Sequence, residues 1–195
     1  MPFQYYRLVI DTDLTDVMTI EDYDIGDDEF DHMQMWQGEK LPAGYASITQ
    51  TVVRLYARAT RKSVDYMNNP LTWPLCSSKL VELLLAQCPE DIELFDSPII
   101  DIKSKQVIPG YRVVNLTRKY DCIDLGKSNV AYSRASPREI RYIQDYHFKS
   151  SVIPPDVHLF RCLHDVSGVF MSAQLASAMS KAGITGVAYQ GCATD

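Results

Sequence analysis

Residues 21 to 31, EDYDIGDDEFD, place seven carboxylates in eleven positions, and clustered carboxylate oxygens are what a hard cation such as calcium needs. The standard calcium loop fails on register. With Asp22 first, Gly26 takes a ligand position, Asp27 falls where the turn needs glycine, and Met33 replaces the closing glutamate. With Gly26 as the turn glycine, Tyr23 and Ile25 occupy ligand positions. An irregular metal site built from Asp22, Asp24, Asp27 and Asp28, serving an enzyme, stands as one alternative. So many like charges repel one another unless a cation or a basic partner approaches.

Other catalytic handles are sparse. His32, His147, His158 and His164 show no HExxH or other metal spacing. Cys162 and His164 would share a face of a strand, the minimum for a thiol–imidazole pair, yet an orienting third group is missing and a thiol on an apolar strand reads as core. GxSxG, GxxxxGK[ST] and GxGxxG are absent from the sequence, and aromatics do not alternate with Lys and Arg as on a single-strand nucleic-acid platform. The expectation is a binding protein without a cofactor.

Composition narrows the partner. Of the 25 acids in the chain, ten lie between Asp11 and Asp31, and no Lys or Arg occurs between Arg7 and Lys40. This segment contributes −10 and the rest of the chain +4, for a net charge of −6. Such a field repels nucleic acid and attracts basic protein surfaces. The candidate partner-binding residues are therefore Glu21, Asp22, Tyr23, Asp24, Asp27, Asp28, Glu29, Phe30, Asp31 and Trp36. Five cysteines without a CxxC read as reduced thiols, and neither a signal sequence nor a bilayer-length apolar run is visible; both point to the cytoplasm.

The elements that must position these groups read as α+β, with mixed or antiparallel sheets and a few packed helices. YYRLVI (residues 5 to 10) is an opening strand with Tyr6, Leu8 and Ile10 on one face and Tyr5 and Val9 on the other. The acidic stretch reads as loop, MQMWQG (33 to 38) and LPAGY (41 to 45) restore apolar character around a loop, and residues 47 to 58 read as a strand running into a polar turn. Strand-like runs follow at 92 to 102, 110 to 116, 158 to 165 and 187 onward, and REIRYIQDYHF leads into Pro154-Pro155. SSKLVELLLAQC is a helix capped by Ser77, and SAQLASAMSKAG is a helix capped by Ser172 with Gly183 after its end. At an offset of 95 residues the two correspond: Ser77 to Ser172, Leu80 to Leu175, Leu83 to Ala178, Leu84 to Met179. The expectation is a single domain, 1 to 195, with an alternative division into similar strand-helix-strand lobes, 1 to 108 and 109 to 195.

Several local patterns together resemble a known family, the bacterial polymorphic-toxin immunity proteins numbered eleven. They are Tyr5-Tyr6-Arg7-Leu8, Trp36-Gln37-Gly38, Pro74 to Leu80, Tyr111 to Asn115, Asp121 to Asp124 with Ser128, Leu159-Phe160-Arg161, Ser172 with Leu175, and Gly183 to Val187. The resemblance implies neutralisation of a cognate toxin, often one delivered by a type VI secretion system, by tight binding without catalysis. Charge adds the expectation that the toxin is a nuclease, a DNase before an RNase, whose basic substrate groove meets the acidic stretch in a heterodimer. An adaptor without a toxin is the remaining alternative.

Overall fold

The structure, a computed structural model, describes residues 3–25, 31–42, 44–45 and 53–195. In chain order its strands and helices begin with β1 (Tyr5–Ile10), β2 (Ile20–Ile25), β3 (Val53–Ala57), β4 (Tyr66–Met67) and β5 (Leu75–Ser77). Next come α1 (Ser78–Gln87), β6 (Ile92–Phe95), β7 (Ile99–Asp101), β8 (Val107–Ile108) and β9 (Tyr111–Leu116). The C-terminal half holds β10 (Lys119–Tyr120), β11 (Asn129–Tyr132), β12 (Ile140–Asp145), β13 (His147–Phe148) and β14 (Leu159–Cys162). It closes with β15 (Asp165–Ser172), α2 (Ala173–Lys181) and β16 (Val187–Thr194). The fold is α+β, as the sequence predicts.

Two of the sheets repeat one plan. In the order β4-β5-β9-β6, a hairpin leads through α1 to β6, and β9 inserts antiparallel between β5 and β6. In β10-β14-β15-β1-β16-β13, a hairpin leads through α2 to β16, and β1 inserts antiparallel between β15 and β16. The offset of 95 residues therefore reflects a repeated path of the chain. Each helix starts alike: the Ser77 hydroxyl accepts from the Leu80 amide at 3.2 Å and the Ser172 hydroxyl from the Leu175 amide at 3.3 Å. After α2 the chain turns at Gly183, whose φ of +63° is left-handed.

Strand alternation then divides the buried side chains among three cores. The first unites α1 (Leu80, Val81, Leu84), α2 (Leu175, Ala176, Met179) and one face of each repeated sheet, including Val114, Val169 and Met171. On β9 and β5 the alternate residues Val113 and Leu75 face a second core, closed by the sheet β2-β3-β7-β8 through Ile20, Val53, Leu55 and Ile99. On β14, β15 and β1 the alternate residues Phe160, Phe170 and Tyr5 face a third, closed by Ile143, Tyr146, Phe148 and Ile153. Both repeated sheets are thus buried on both faces.

Some sequence expectations need correction. Residues 20 to 25 form a strand and not a loop, because they pair with Val53 to Ala57 of β3 and Ile20 and Ile25 pack into the second core, while Asp22, Tyr23 and Asp24 remain exposed. MQMWQG is largely a turn of 3-10 helix, His32–Trp36, started by the Asp31 carboxylate, which accepts from the Met33 amide at 2.9 Å. The run 92 to 102 is two strands in different sheets, parted at Asp96 to Pro98. Residues 47 to 52 of the strand expected at 47 to 58 lie outside the described residues.

Asp65 ties the two helical units together. Its carboxylate accepts from the Ser77 hydroxyl at 2.7 Å and from the Thr185 amide and hydroxyl, both at 2.9 Å, with Lys79 Nζ at 3.7 Å. Desolvation pushes this carboxyl up, but the hydrogen bonds from Ser77 and Thr185 and the Lys79 charge outweigh it, and its pKa lies below the usual 3.8. A depressed carboxylate stabilises the fold above its unfolded pKa, and that stabilisation is lost as pH falls through the folded value. Asp65→Asn is therefore expected to melt lower than wild type at pH 7, with the gap closing as pH is lowered from about 5 towards 3. Leu175→Ala, which opens a cavity in the first core, is expected to cost about 2–5 kcal/mol in denaturant titration.

Candidate partner-binding surface

Among the described residues the sheet order places β2 outermost, so its acidic residues sit along a sheet edge, with the Ile20 amide at its start bonded to the Asn68 carbonyl at 2.9 Å. Glu21 is compensated from the turn after β3: Arg58 Nε lies 2.9 Å and Arg61 Nη1 3.2 Å from its carboxylate. Asp24 stands opposite Arg54 in the β2–β3 register. Asp22 accepts from the Tyr23 amide at 2.9 Å, so one outward backbone donor of the edge is satisfied locally. Tyr23 leaves 40% of its surface exposed between these acids. Acids along an exposed edge discourage pairing with further strands, which supplies a purely structural role for part of this charge.

The other candidates divide. Asp31 is a capping residue whose backbone carbonyl accepts from the Tyr45 hydroxyl at 3.1 Å. Burial and the Asp31 charge together push the Tyr45 phenol well above its usual pKa. Trp36 packs half-buried against the second core, and its Nε1–H is enclosed without a hydrogen-bond partner among the described residues. Asp27, Asp28, Glu29 and Phe30 lie outside the described residues. The structure therefore brings Glu21, Asp22, Tyr23 and Asp24 together on one strand.

The described acids of residues 21 to 31 do not gather as metal ligands. Among the described residues the spacing that suits a metal belongs to Asp124, His147 and Asp195, whose ligand atoms lie within 4.8 Å of one another. Lys127 already supplies a cation there: its ammonium hydrogen-bonds Asp195, holding that carboxyl below and the lysine above their usual values. The Cys162–His164 pairing is not formed. Cys162 is fully buried with its sulfur 3.1 Å from that of Cys122, and burial pushes its thiol well above the usual range. His164 instead meets Asp121 at 3.2 Å. A cleft of about 240 Å³ is lined by Arg7, Tyr66, Asn69 and Trp73. Its buried amide, Asn69, is held by Met67 and Trp73 backbone bonds of 2.7 to 3.2 Å.

Sequence reasoning missed a second surface, the two-stranded ribbon β11–β12. Val130 and Ile143 face each other across it and turn into the third core, while Tyr142 and Ala131 form the next pair and Tyr142 is exposed. The signal was present as apolar-polar alternation on both sides of a Ser-Pro turn, in NVAYSRASPREIRYI.

A comparison with curated proteins returned no match. The family described as Immunity protein family (Imm11) matches residues 11–194, nearly the whole chain. The chain belongs to that immunity protein family.

Proposed function

We propose that the chain neutralises a cytosol-acting nuclease, a DNase before an RNase, delivered by a type VI secretion system, and does so as the inhibitory half of a heterodimer. The family supports a toxin-neutralising role and suggests an inhibitor that is not an enzyme. The observation that carries the finer reading is the exposure of Asp22, Tyr23 and Asp24 on a sheet edge, within a segment that alone makes the molecule acidic. A nuclease must present cations to a phosphate backbone, and carboxylates spaced along a strand answer those cations. The Glu21 charge is already balanced by Arg58 and Arg61, so Asp22 and Asp24 are the described acids of β2 most available to a partner.

A cytoplasmic location suits the five free, buried cysteines, and no helix among the described residues is long and apolar enough to cross a membrane. A single domain suits the crossing of the chain between sheets: β1 completes a sheet otherwise built from residues 119 to 194, and β9 completes one built from residues 66 to 95.

Co-expression with the product of the adjacent toxin gene is expected to rescue growth and to copurify the two proteins. Failure of both would remove the inhibitory reading. Asp22→Asn with Asp24→Asn is expected to slow association roughly tenfold at low salt, with the difference vanishing near 1 M salt as screening takes over. Stopped-flow rates indifferent to both salt and substitution would contradict steering by this strand.

A further inference from the structure

Between the β11–β12 ribbon and the β14–β15 turn lies a groove of about 330 Å³, lined by Arg7, Arg141, Tyr142, Tyr146, His164 and Asp165 among others. Its floor is fixed. The Tyr146 hydroxyl donates to Asp165 at 2.7 Å, Arg7 approaches the same carboxylate at 3.4 Å, and the Arg7 guanidinium stacks 5.5 Å from the Tyr146 ring centre. Gly168 donates its amide to Asp165 at 3.1 Å, and a Cβ there would lie 2.6 Å from the carboxylate, so the backbone must approach bare. Burial and the Asp165 charge keep the Tyr146 phenol protonated, as a donor.

The rim is different in kind. Tyr142 is 53% exposed and Tyr132 45%, both on the ribbon, and Leu163 beside His164 is 51% exposed. Arg134, Arg138 and Arg141 are exposed and form no ion pair among the described residues, while Arg7 Nε is enclosed without a hydrogen-bond partner. Three acids near the groove are engaged, Asp121 by His164 and Lys149, Asp145 by Asn129, and Asp165 as above, while Glu139 is exposed beside Arg138 and offsets one of the three arginines. Tyrosine and arginine over a rigid, aromatic-backed floor are the residue types that dominate binding energy at protein interfaces. Unpaired guanidinium groups select carboxylates, which they bind through two parallel hydrogen bonds.

We infer that this ribbon groove is the principal contact for the toxin and receives a carboxylate-bearing segment of it, while the acidic β2 strand steers the encounter. The inference rests on the toxin-neutralising reading and assigns the energetics within it. In the layer order the ribbon covers the third core and β2 borders the second, so the two charges act on different parts of one partner.

The test is calorimetric titration of the full chain with a catalytically inactivated product of the adjacent toxin gene. Tyr142→Ala is expected to weaken binding on the order of 30-fold, and Arg141→Glu more than Arg141→Ala. Because both side chains are exposed, the thermal melts of these variants should match wild type, which separates lost contact from lost fold. Tyr142→Ala and Arg141→Ala both within about twofold of wild type would overturn the groove assignment and leave the inhibitory reading standing. Arg141→Glu binding as well as wild type would overturn the acidic character of the occupant. No binding by the wild-type chain would overturn both readings together.

Discussion

Everything in this fold depends on two strands inserted from a distance. A strand-helix-strand unit brings its two strands in parallel and leaves a gap between them, and here each gap is filled by an antiparallel strand, β9 in one unit and β1 in the other. Because both inserted strands carry buried apolar residues on both faces, each sheet must be covered twice. The helices cover one side of both sheets at once by sharing a core, and the outer faces recruit whatever else the chain offers. The sheet carrying β2 covers one, and the segment carrying the β11–β12 ribbon covers the other.

That division also separates the stabilising core from the layers proposed for recognition. The inner core is largely aliphatic, with helix caps and Asp65 fixing its ends, and it exposes little that a partner would read. The two covering layers are where charge and aromatic surface reach solvent. β2 presents acids whose backbone edge is blunted by Asp22, and the ribbon presents tyrosines and arginines above a floor of Tyr146, Arg7 and Asp165. Neither layer brings a nucleophile, base and orienting group together among the described residues; Cys162, the thiol nearest to an imidazole in sequence, is enclosed against Cys122.

Much of the interior was legible in the sequence because it follows local rules. Ser77 and Ser172 announce helix starts, Gly183 announces an end, and the two faces of YYRLVI both proved buried, apart from the half-buried Arg7, Val9 and Ile10. The acidic stretch was harder. Carboxylates dominate its composition, yet Ile25, with Ile20 just before the stretch, anchors the strand, and the neutralising Arg58 and Arg61 arrive from a segment more than 30 residues away, which no local pattern encodes. The ribbon escaped notice for the opposite reason: its residues are ordinary one by one, and only the approach of His164 and Asp165 from β14–β15 turns them into a groove.

Hydrogen exchange on the chain, free and mixed with its cognate toxin, tests whether recognition lies in the covering layers and not in the shared core. The account predicts new protection at residues 129 to 145 and at 20 to 25, with the amides of α1 and α2 unchanged. A complex that protects neither segment while altering α1 and α2 would contradict it.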